Sequence, residues 1–201
     1  HSEKVVIMKR LLLILILTLS FQSFCKAADI SDFEIEGMSV GDSLLDYFDK
    51  NEILNKHVYK NKKFATHYGK NNDFKNYEGF QIFYLSKDIK YKIHYLAGIN
   101  LYPNNTINKC YKKMYKIADE IKKEMSFDNY KDTGNMKNPF NDNTKNFAHN
   151  LEFYFLDGSS LVIACMDYDE KLLKDGYTDK LTVSLSSNEF TTFLSSGDAY
   201  K

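Results

Sequence analysis

Apolar residues recur at Ile107, Cys110, Met114, Ile117, Ala118, Ile121 and Met125 in steps of three and four, and lysines 109, 112, 113, 116, 122 and 123 fall mostly between them. That spacing predicts one long amphipathic helix in mid-chain, with Cys110 on its buried stripe. Pro103-Asn104-Asn105 ends the element before it. Upstream the period drops to two: Tyr91, Ile93, Tyr95, Ala97, Ile99 and Leu101 alternate as a strand. The apolar run at 79–85 precedes it across a short polar connection at 86–90, which predicts an antiparallel hairpin. Residues 64–68 read as a further strand and 69–78 as a polar loop.

Downstream of the helix, residues 126–147 are rich in Asn, Asp and Lys and hold Gly134 and Pro139. They predict a long loop of the functional or mobile kind. Strands at 148–156 and 160–167 then pair across Asp157-Gly158, with Leu161, Ile163 and Cys165 on one face. A last strand at 180–186 leads into a short helix near 188–194. At the front, 28–36 alternates as a short strand or an extended lead-in, and 37–41 is a turn. Ser39 or Asp42 caps a helix carrying Leu44, Leu45 and Phe48, and a second short helix takes 51–56. Hairpins dominate and strand–helix–strand alternation does not extend through the chain. The fold class is therefore α+β, an antiparallel sheet with helices packed on one face. The order also admits duplication of one helix–strand–strand–strand unit, although no self-similarity in sequence accompanies it.

Residues 8–27 change where this fold is expected to work. Lys9-Arg10, the apolar run at 11–19 and the polar stretch ending in Cys25-Lys26-Ala27-Ala28 have the layout of a secretory signal peptide. The run is about half the ~20 residues that a bilayer crossing needs, so no membrane span is expected in the mature chain. Gln22-Ser23-Phe24 before Cys25 departs from a lipoprotein signal. Cleavage is expected after Ala27, or failing that Ala28, and residues 1–7 read as upstream of the start methionine. The domains are thus 1–27, upstream residues and signal peptide, and 28–201, a single α+β domain in an exported, periplasmic or secreted protein.

The whole chain holds 27 basic and 27 acidic side chains, and losing Lys4, Lys9, Arg10, Lys26 and Glu3 with the leader leaves 23 against 26. Every remaining cation is Lys. Without guanidinium forks and with a net negative charge, nucleic acid is not an expected partner. The composition, 43% apolar with 9 Gly, 2 Pro and 3 Cys, excludes a disordered or disulfide-dense chain. Cys110 and Cys165 remain after cleavage. A bridge between them is favoured by an oxidising compartment and by both lying on apolar faces, with two free buried thiols as the alternative. Closing 55 residues contributes roughly 3–4 kcal/mol.

Gly41-Asp42-Ser43-Leu44 resembles the first block of the GDSL, or SGNH, esterases, which implies Ser43 as a nucleophile at the end of a parallel strand. That chemistry needs an imidazole base. Yet His57, His67, His94 and His149 have Leu54, Phe64, Tyr91 and Asn146 three residues earlier, so the family's Asp-x-x-His is absent. Gly37-Met38-Ser39-Val40-Gly41 fits a nucleophile elbow, but too few residues precede Ser39 to build the sheet beneath it. A glycine turn and a helix cap account for both strings. Asp167-Tyr168-Asp169-Glu170 lacks the glycine and distal glutamate of a calcium loop. No catalytic, metal or cofactor set is expected, and the fifteen Tyr and fifteen Phe are assigned to packing.

Residues 29–48 as a whole are similar to the start of small uncharacterised exported proteins of AT-rich marine bacteria. The Gly-Met-Ser turn opening a helix pair also resembles the SmpA/BamE and β-lactamase-inhibitor-protein class of periplasmic helix–helix–sheet modules. That resemblance implies binding of another protein through an exposed sheet face. The leading expectation is an exported, non-enzymatic binding module for a protein or envelope component. The alternatives are a small secreted hydrolase using Ser43, or an aromatic-pocket small-ligand carrier.

Overall fold

A computed structural model of the chain describes residues 29–54, 57–58, 62–70, 74–103, 106–137 and 147–196. The expected leader at 1–27 lies outside those residues, as do positions 55–56 of the second predicted helix and 138–146 of the polar connector. A short helix α1 (Lys50–Leu54) precedes strands β1 (His57–Val58), β2 (Phe64–Gly69), β3 (Gly79–Leu85) and β4 (Ile93–Leu101). The long helix α2 (Ile107–Glu124) precedes β5 (Asn129–Lys137), β6 (Phe147–Tyr154), β7 (Ser160–Asp167) and β8 (Lys180–Ser186). Helix α3 (Glu170–Lys174) lies between β7 and β8, and α4 (Asn188–Ser195) follows β8.

Among the described residues the strands form one eight-stranded sheet in the order β1-β2-β3-β4-β8-β7-β6-β5. Every neighbouring pair is antiparallel. Each half is a helix followed by a four-strand meander, and the halves meet where β4 pairs with β8. The arrangement is the one a rotation of half a turn about an axis through that central pair would generate.

Register fixes the core. Ile82 pairs with Leu96, Leu96 with Leu185, Leu185 with Leu161, and Leu161 with Phe153. This row crosses five strands on what we call the first face, and all five side chains are buried. Helix α2 covers one part of it with Cys110, Met114 and Ala118, spaced by four residues and fully buried. Its lysines at 109, 112, 113, 116, 122 and 123 are exposed, as the sequence pattern requires. Cys110 and Cys165 are joined, with sulfurs 1.94 Å and Cα atoms 6.0 Å apart, which ties α2 to β7.

The amino-terminal stretch covers the rest of the first face. Phe33 meets Phe155 edge-on at 5.4 Å, and Met38, Val40 and Leu44 are buried. Each such aliphatic side chain contributes roughly 1.5–3 kcal/mol. The Tyr77 ring lies flat over Gly98, where an added Cβ would come within 2.6 Å of it. Close approach of ring to strand therefore needs glycine at this position.

The α+β class, the antiparallel sheet and the long helix agree with the sequence pattern. Four expectations need correction. The stretch at 28–36, read as a short strand or an extended lead-in, opens with a 3-10 helix over Ile30–Asp32 capped by Asp29. The predicted helix carrying Leu44, Leu45 and Phe48 is a 3-10 turn over Leu44–Asp46, because the Gly41 and Leu44 N–H groups donate to the Ile93 and Tyr91 carbonyls and hold the segment against β4. Leu44 is buried there, whereas Leu45 is exposed. The polar connector contains β5, whose side chains are mostly exposed and so show little apolar alternation. Packing of all helices on one face is not supported, since Phe190 and Phe193 of α4 join Phe64 and Phe83 in a separate cluster. Phe83 is adjacent in sequence to Ile82, so this cluster occupies the second face.

Candidate functional site

Ser43 is held by backbone on both sides. Its hydroxyl donates to the Lys90 carbonyl at 2.8 Å and accepts the Leu45 N–H at 3.2 Å as the cap of the 3-10 turn. Ser39 is buried and donates to the Phe33 carbonyl at 2.8 Å. The Asp42 carboxylate accepts the Ser39 N–H at 2.8 Å and the Tyr47 hydroxyl at 2.6 Å. Burial and that carboxylate push Tyr47 up to about 12. The residues of the Gly-Asp-Ser-Leu string thus organise a turn, with both serine protons directed at carbonyl oxygens.

Two imidazoles sit in polar clusters. His149 of β6 places Nε2 at 2.7 Å from Asp132 Oδ1 and 3.4 Å from the Tyr115 hydroxyl of α2, and Tyr115 also lies 3.3 Å from Asp132 Oδ2. Burial works to raise the Asp132 carboxyl, but the Gly134 N–H and the His149 ring outweigh it and hold it below its ordinary value. His94 places Nδ1 at 3.2 Å from Ser187 Oγ and 3.6 Å from Glu189 Oε2, and Lys63 pairs with Glu189 at 3.2 Å. Burial pushes the His94 imidazole down. A hydroxyl–imidazole–carboxylate relay needs hydroxyl and acid on opposite ring nitrogens. In both clusters they share one nitrogen, so neither can pass a proton from hydroxyl to carboxylate through the ring. Ser187 caps α4 by accepting the Phe190 N–H at 3.3 Å.

The acidic string at 167–170 is likewise used locally. Asp169 caps α3 by accepting the Leu172 N–H at 3.0 Å, and burial with Asp179 nearby raises the Asp167 carboxyl. Among the described residues no three His, Cys, Asp or Glu side chains are grouped to hold a metal ion.

The second face is different. Helix α4 covers one end of it, and at the other a groove of about 420 Å³ is lined by residues that include Tyr68, Gly79, Gln81, Ile99, Leu101 and Lys180. Pairing of Tyr68 with Gln81, Gly79 with Ile99 and Leu101 with Lys180 puts these residues on the same side of β2, β3, β4 and β8. Tyr68 is 65% exposed, and burial pushes the Lys180 ammonium down. Lys180 forms no ion pair or side-chain hydrogen bond among the described residues.

The chain matches no family model, no curated protein and no solved structure. Cys110 and Cys165, chosen from the sequence, come together, while Ser43 meets backbone. The Asp132–His149 contact escaped sequence reasoning because Asp132 fell in a segment read as loop. Tyr130, two residues before Asp132 and so on the same face of a strand, was the available sign there, and its ring packs 5.0 Å from that of Phe153. The groove escaped it too, since Lys180 opens a strand like any other solvent-facing lysine.

Proposed function

We propose that this chain is an exported, non-enzymatic module that binds a protein or an envelope component through the second face of its sheet. The observation that carries the reading is the use of Ser43, whose proton is directed at the Lys90 carbonyl rather than at a base. The two imidazole clusters support it, because each serves an attachment: Tyr115 and His149 join α2 to the sheet, and His94 and Ser187 join α4 to β4. The signal-like segment at 8–27 and the Cys110–Cys165 pair fit an oxidising compartment outside the cytoplasm. No helix among the described residues is long and apolar enough to cross a membrane.

The test compares wild type, Ser43→Ala and Thr182→Arg, the last placing a cation in the middle of the second face. Envelope extract from the host is passed over each, and each is assayed on short-chain esters. The expected result is a partner retained by wild type and Ser43→Ala but released by Thr182→Arg, with no ester hydrolysis above buffer. Hydrolysis that disappears in Ser43→Ala overturns the reading in favour of a secreted hydrolase. A carrier of small ligands is the second reading, favoured by the groove beside Lys180.

A further inference from the structure

The groove on the second face joins an apolar floor to Lys180, a half-buried cation with no ion-pair partner among the described residues. Gly79 contributes no side chain, so a depression opens between Tyr68 on one side and Ile99 and Leu101 on the other. At about 420 Å³ it lies within the range of small-molecule sites. Strands β3 and β4 are each paired on both sides, so their N–H and C=O groups are spent in the ladder. The floor therefore offers an extended peptide none of the backbone bonds by which sheets recognise peptides. It offers apolar surface and, at the β8 end, the half-buried Lys180 ammonium. Holding that ammonium half-buried without an anion costs free energy, which is why burial depresses it. An anion seated beside it would recover that cost. Glu78 at the rim meets the Leu101 N–H at 3.4 Å instead, and Lys70 adds a second cation at the rim.

We propose that this groove binds an unbranched aliphatic carboxylate, with the chain along Tyr68, Ile99 and Leu101 and the carboxylate on the Lys180 Nζ. Three inter-strand steps and an offset of four residues separate Tyr68 from Lys180, roughly 20 Å between backbones, which the two long side chains shorten to about the length of an extended chain of a dozen carbons. The proposal rests on the reading of the chain as a binding module and narrows the envelope component to a free fatty acid.

The test is titration of the full chain with dodecanoate below its micellar concentration, followed by calorimetry and by amide shift mapping. Dodecyltrimethylammonium supplies the chain without the anion, and acetate the anion without the chain. Saturable dodecanoate binding that shifts β2, β3, β4 and β8 amides is expected, weakened about tenfold or more in Lys180→Met and kept in Lys180→Arg. Ile99→Asp should abolish it while the far-UV spectrum stays unchanged. Equal binding by Lys180→Met, equal binding of dodecyltrimethylammonium, or shifts confined to other strands overturns the proposal. If dodecanoate fails while the Thr182→Arg-sensitive partner persists, only this proposal falls. If Ser43-dependent hydrolysis appears, the module reading falls, and dodecanoate binding to Ser43→Ala still decides the groove.

Discussion

His67 is the polar group of the described core that fits its surroundings least. Its ring lies 4.7 Å from that of Phe48 and 5.2 Å from that of Phe80, and its Nε2 is buried with no hydrogen-bond partner among the described residues. Burial depresses its imidazole below the ordinary 6.5, against a weaker pull from Glu52, and burial depresses His94 in the same direction. The unfolded chain then binds more protons than the folded one between each depressed value and 6.5. Stability must rise with pH through that window and fall as the solution is acidified below 6.5, by at most about 1.4 kcal/mol per pH unit for each proton. Guanidinium unfolding at pH 7.5, 6.5 and 5.5 should show this slope. His67→Leu should reduce it and leave stability at pH 7.5 unchanged or higher, since a buried unsatisfied nitrogen costs roughly 1–3 kcal/mol. A steeper slope in His67→Leu would contradict the assignment.

At the scale of elements, the tie between α2 and β7 has the largest expected effect. Cys110 and Cys165 close a segment with a sequence separation of 55, and replacing both by Ala should cost about 4 kcal/mol on loop entropy. The midpoint of denaturation should fall accordingly, and thiol labelling of the unfolded, unreduced wild-type chain should find neither cysteine free. This pairing was legible because both partners carry strong periodic signals: Cys110 shares a helical stripe with Met114, and Cys165 shares a strand face with Leu161 and Ile163. The hairpins at β3–β4 and β6–β7 were legible for the same reason. The 3-10 turn at Leu44–Asp46 was not, because its backbone is fixed by the carbonyls of Tyr91 and Ile93, which are distant in sequence. Strand β5 was obscured by exposure, and α3 by its length of five residues, little more than one turn. The groove depends on the register of four strands, a quantity that no local pattern carries.

At the scale of the molecule, the two meanders share one hydrophobic row. Leu96 of the first half pairs with Leu185 of the second, and the row continues without a break into Ile82 and Leu161. Neither half can expose that seam without uncovering buried leucines, so the chain is expected to unfold as one unit. Far-UV dichroism, near-UV tyrosine signals and calorimetric enthalpy should give coincident transitions; two separated midpoints would show the halves to be independent. The same order leaves β5 as the outermost strand of the second half. Its register shifts between Asp132 and Asn135, with Gly134 at φ 59, and Lys131 and Lys137 are exposed along it. A straight, uncharged margin would be a template on which the next molecule's backbone continues the ladder. The kink and the lysines make β5 a poor template of that kind, a margin built against growth into a ribbon of copies.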